Sequence, residues 1–105
     1  LKIGRHFRLS PETKLVVGRN EEENETIEKM IKQGEILIYV PDTGSPNAML
    51  VGNKKQPIKI AASITARYSD KKNDKSIEVF CKDHRSIKKV RVPAATNEEL
   101  AKWRL

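Results

Sequence analysis

Apolar and polar residues alternate in short bursts along this chain, and the rhythm changes where helices are expected. Ile3, Phe7 and Leu9 share one parity of the opening segment, while Lys2, His6 and Arg8 share the other. A period of two marks a half-buried strand, here with a cationic outer side. Ser10-Pro11-Glu12-Thr13 predicts a turn, because Pro11 fixes φ and the Ser10 hydroxyl can bond the backbone. Leu15-Val16-Val17 completes a hairpin that ends at Gly18. At Asn20 the period changes. Its side chain can cap free amides, Glu23 follows at capping-box spacing, and Glu21, Glu22 and Glu23 complement the helix dipole. Ile27, Met30 and Ile31 supply an apolar stripe and Gly34 a stop, so a helix is predicted over 20–33. Asn24 falls on that stripe. An amide buried there without a partner costs about 1–3 kcal/mol, so Asn24 is expected to bond a neighbouring loop backbone.

Glu35 to Val40 is apolar on both faces and predicts a central strand. The turn formers Pro41 to Asn47 make a loop, and Ala48 to Val51 another buried strand. Residues 57–69 fit two templates. Ile58, Ile60, Ala62, Ile64, Ala66 and Tyr68 alternate as in a strand, yet Ile60, Ile64 and Tyr68 also align at helical spacing behind Pro57. Three isoleucines favour strand and three alanines favour helix, and local physics leaves both open. After a polar linker, Ile77, Val79 and Cys81 point one way from a strand. A turn at 83–86 leads to a partner strand, Ile87 to Val92, whose Lys88, Lys89 and Arg91 suit a sheet edge near a polyanion. Thr96 and Glu99 cap a short terminal helix carrying Leu100 and Trp103.

Charge sharpens this picture. The 105 residues carry a net charge of +7, with net +4 over 1–19, −4 over 20–35 and +5 over 61–92. Such a surplus favours polyanions, since each neutralised phosphate releases condensed counterions. At this length a single domain is expected over 1–105, with 93–105 as a short helical tail. An opening at Leu1 without Met reads as a domain cut from a longer chain. No apolar run reaches the roughly 18 residues of a membrane span. The single Cys81 suits a reducing cytoplasm, and with two distant histidines it falls short of the four ligands of structural zinc, so no metal is expected.

Three stretches together resemble a known family. They are Val17-Gly18-Arg19-Asn20 with Asn24-Glu25, the strand and loop from Glu35 to Ser45, and Ala61-Ala62 through Ala66 to Tyr68-Ser69. They resemble the NFACT-R domain, an RNA-binding module of ribosome quality-control factors, over roughly residues 3–92. The opening Gly4-Arg5-His6-Phe7-Arg8-Leu9 and the glutamates after Asn20 look more like a branch fused to the C-terminus of ThiI-like PP-loop tRNA-thiolation enzymes. The family loop Pro-Gly-Ser-His is here Thr43-Gly44-Ser45-Pro46-Asn47, so no contact of that histidine carries over. Its Trp-Phe-His segment is Leu37-Ile38-Tyr39, which leaves a tyrosine as the stacking platform. The resemblance implies a helix over 57–69. The fold expected is therefore α+β: a mainly antiparallel sheet of about six strands, two main helices and a short C-terminal helix.

The resemblance also implies RNA, with tRNA foremost, as partner and the catalytic domain of a parent chain as neighbour, with no cofactor in this domain. Phosphates are expected along Lys2, His6, Arg8 and Arg19 rather than on the helix axis, which three glutamates oppose, with Asn20 and Asn24 at the same corner. Lys59 and Arg67 line a polar stripe that could join Lys88, Lys89 and Arg91 as a second cationic surface. Arg5 falls on the apolar parity and is expected to buttress the core or pair with a carboxylate. With five aromatics, mostly needed for packing, little base stacking is expected. An enzyme is disfavoured, because no phosphate cradle, carboxylate pair or nucleophile array is present. Cys81, though imaginable as a sulfur-relay thiol, reads as an inert buried one. The alternative is a protein-interaction module, with acidic helix 20–33 docking on a basic catalytic or ribosomal neighbour.

Overall fold

The computed structural model describes residues 3–31, 35–41, 46–52, 58–83 and 85–105. Strands β1 (Arg5–Ser10) and β2 (Thr13–Val17) form the expected hairpin, and helix α1 (Glu21–Met30) follows. Then come β3 (Ile36–Tyr39), β4 (Ala48–Gly52), helix α2 (Ile58–Arg67), β5 (Ile77–Lys82), β6 (Ile87–Val92) and helix α3 (Asn97–Trp103). The strands make one antiparallel sheet in the order β1-β2-β4-β3-β5-β6, which places β1 and β6 at opposite edges and β3 in the interior. This is the α+β architecture anticipated from the sequence.

Two cores lie on the two faces of the sheet. The larger contains Phe7, Leu15, Val17, Ile38, Leu50, Ile77, Val79 and Cys81, roofed by Ala61, Ala62, Ile64 and Ala66 of α2. The smaller packs Ile27 of α1 on Val16, Leu37 and Met49. Residues 58–67 thus resolve as helix, as the family resemblance implied. Three small alanines let the α2 backbone approach the sheet, and Ile64 is wholly buried beneath it.

Two expectations need correction. Ile3 does not share a face with Phe7 and Leu9: it packs on the smaller core, whereas they belong to the larger. Gly4 breaks the alternation at φ 77°, a left-handed conformation that glycine adopts without strain, and the strand begins only at Arg5. Helix α1 also ends earlier than 33. Ile31 already has extended dihedrals (φ −61°, ψ 124°) and turns its side chain onto the smaller core, while 32–34 lie outside the described residues.

The two edges are finished differently. At β1 the chain end returns: Arg104 pairs with Phe7, and the Leu105 amide donates to the His6 carbonyl at 2.9 Å. No described element hydrogen-bonds the outer edge of β6. No helix is long and apolar enough to cross a membrane.

Candidate nucleic-acid interface

The predicted site residues fall into two groups at opposite ends of the sheet. With neighbouring strands about 4.8 Å apart, five intervals separate β1 from β6 by about 24 Å.

The first group is occupied with local architecture. His6 donates from Nε2 to the Ile3 carbonyl at 2.8 Å, and Arg8 donates to the Pro11 carbonyl at 3.2 Å. Arg19 holds Glu23 in a two-pronged pair, Nε to Oε1 at 3.0 Å and Nη2 to Oε2 at 2.8 Å, while its own amide donates to Oε1 at 2.9 Å. The capping carboxylate therefore reaches one residue further back than a capping box would take it. These bonds hold the Glu23 carboxyl down at about 2, chiefly through the guanidinium and then through the Arg19 amide. Asn20 caps α1, accepting from the Glu23 amide at 2.9 Å. Asn24 does what its stripe position requires: its Oδ1 accepts from the Asn47 amide at 3.0 Å and its carbonyl from Asn47 Nδ2 at 3.0 Å. A side chain on Gly18 would collide with that Oδ1, so glycine is needed where strand, helix and loop converge. Arg5 buttresses the core as expected, with its guanidinium 4.3 Å from the Tyr68 ring centroid. Lys2 lies outside the described residues.

The second group is more open. Lys88, Lys89 and Arg91 are exposed on edge strand β6, but its register divides them. Lys88 faces Cys81 on the α2 side, whereas Lys89 faces Phe80 and Arg91 faces Glu78 on the α1 side. Arg91 is loosely held, 3.9 Å from Glu78 and 3.2 Å from Ser76 Oγ, contacts that cost little to exchange in water. Lys59 stands exposed on α2 and, with Ser63, Arg91, Glu99 and Trp103, lines a groove of about 260 Å³. Arg67 is otherwise engaged, donating to the Ala95 carbonyl and to Asn97 Oδ1, and so ties α2 to the start of α3.

Phe80, to which the sequence pattern gave no role in binding, sits in the same row as Lys89. Cross-strand pairing aligns Tyr39, Phe80 and Lys89, with Leu37, Lys82 and Ile87 beside them. Phe80 is half-buried yet belongs to neither core. The signal was the inward run Ile77, Val79, Cys81, which puts Phe80 and Lys82 on the outward parity.

A family model described as the NFACT protein RNA binding domain matches residues 4–104. The chain belongs to that family. The NFACT RNA-binding domain is a binding module, not a catalytic one, and RNA is the partner class it supports. Among solved structures, the C-terminal part of the fibronectin/fibrinogen-binding protein of Streptococcus suis is similar, with a TM-score of 0.85 at 20% identity. That likeness carries the fold; it covers all of this chain and 50% of that one, so the chain spans about half its length. Curated protein sequences give no match.

The Cys81 thiol is buried in this NFACT domain, and desolvation pushes it up to about 11 despite nearby Lys88. It therefore holds its proton at neutral pH and is a poor nucleophile. Among the described residues, no group of three or more His, Cys, Asp or Glu could hold a metal.

Proposed function

We propose that this domain grips folded RNA, with tRNA foremost, along its sugar–phosphate contour at the β6 edge, and presents it to a catalytic unit elsewhere in a parent chain. The observation that carries this reading is the concentration of loosely held cations there. Lys82, Lys88, Lys89, Arg91 and Lys59 surround one open strand edge, whereas Arg19 at the other end of the sheet is committed to Glu23. Side chains alternate around an edge strand, so Lys88 with Lys59 and Lys89 with Arg91 can bracket one backbone track. A parent that thiolates tRNA is the finer part of the proposal and rests on the resemblance of the opening segment and the glutamate-rich start of α1. Lys2, His6 and Arg8 remain in the proposal as a secondary contact at the far edge.

A second reading has its own observation: Glu21, Glu22, Glu25 and Glu28 are exposed on α1, a face suited to a basic protein neighbour. Binding of a tRNA transcript, followed by fluorescence anisotropy, separates the two. Binding at 50 mM salt is expected, and Lys89→Gln and Arg91→Gln should each flatten the slope of log K against log salt by about one. No binding at that salt would reject the RNA reading and leave the acidic face as the interaction surface.

A further inference from the structure

We infer that the sheet floor beside this edge stacks an unpaired nucleobase on Phe80, so that the preferred target is RNA carrying a single-stranded nucleotide next to a helix. The inference rests on the RNA reading above and adds the feature being recognised.

Burial places Phe80 first. An aromatic side chain contributes most when covered, yet Phe80 lies on the α1 side of β5, and α1 packs over β2, β4 and β3 instead. Among the described residues, Tyr39 and Lys89 of its own row meet its ring. Tyr39 meets it edge-to-face, with centroids 5.6 Å apart and planes at 62°. That arrangement braces one side of the ring. Lys89 Nζ lies 5.4 Å from the Phe80 centroid, a cation resting where a flat π system could lie. A lysine on a flexible stem can swing away and follow a phosphate, leaving the ring to a base.

Charge then fixes the direction. Lys82, Lys89 and Arg91 share the Phe80 face against one acid, Glu78. On the opposite flank stands acidic α1, whose Glu28 lines a cavity of about 210 Å³ with Leu37, Tyr39, Asn47 and Lys82. Phosphates are drawn to the β6 side and repelled from α1. A nucleotide with its phosphate over Lys89 and Arg91 must point its base inward, across Phe80 and towards Tyr39. Two strand intervals, about 10 Å, separate β3 from β6, room for one base and its sugar but not for the side-on width of a helix. A paired base has both faces covered by its neighbours and cannot use the ring; an unpaired one can.

The test uses two RNA hairpins with equal phosphate number, one blunt and one with an unpaired 3′ overhang containing 2-aminopurine. Wild-type protein is expected to bind the overhang RNA about 5- to 100-fold more tightly and to change its 2-aminopurine fluorescence. Phe80→Leu, checked for an unchanged melting transition, should erase both effects without altering the salt slope. Phe80→Tyr, which keeps the ring, should retain them. Equal binding of both hairpins by wild type, with no fluorescence change, would overturn the stacking site while leaving the phosphate grip intact. Failure to bind either hairpin would instead remove the RNA reading itself.

Discussion

Asn24 shows how a residue that looks like a binding group can be spent on architecture. Its amide sits on the apolar stripe of α1 and holds the loop end at Asn47 from 23 positions away. Asn24→Ala leaves the Asn47 amide short of its acceptor, and a loss of about 1–3 kcal/mol is expected in chemical denaturation. Glu23 behaves in the same way. Its carboxyl is held at about 2 in the fold against an ordinary 4.5, so its contribution is complete above about pH 4.5 and drains away as pH falls towards 2. Melting temperatures of wild type and Glu23→Gln should differ at pH 7 and draw together steadily below about pH 4.5, with most of the gap gone only by about pH 2; a constant gap would mean the Arg19 pair is not the cause. The Gly-Arg-Asn corner was legible as a motif, but not its purpose. Residue types that attract phosphate also cap helices and pin loops, and only the distances separate the two.

Helix α2 is where periodicity gave out. Apolar residues at every second place (Ile58, Ile60, Ala62, Ile64, Ala66, Tyr68) and large ones at every fourth (Ile60, Ile64, Tyr68) coincide over 58–68, because a buried helix with alanines between its large residues satisfies both patterns. What decided the matter was the family resemblance. The strands were easier, since β5 alternates cleanly and β3 is apolar on both faces, as an interior strand must be. Only Ile3 escaped, because the left-handed Gly4 reset the parity. If α2 is the roof of the larger core, Ile64→Ala should cost about 2–5 kcal/mol in urea unfolding. A loss below about 1 kcal/mol would contradict the packing described.

Across the whole molecule, what sequence position hides is the distance between charges. The opening bases and those on β6 suggest two cationic surfaces, but not how far apart they lie; the sheet order sends β1 and β6 to opposite edges, with acidic α1 over the strands between. Strand order depends on contacts far apart in sequence, so no local pattern announces it. The consequence, among the described residues, is one cationic edge at β6 without a strand partner and one edge at β1 met by Arg104 and Leu105. Amide chemical-shift mapping during titration with a tRNA transcript tests this most directly. The account predicts that the largest perturbations gather on residues 77–92, Tyr39 and the first turn of α2, with smaller ones on 5–10 and none on 19–24. Perturbations concentrated on 5–24 with β5 and β6 silent would contradict it.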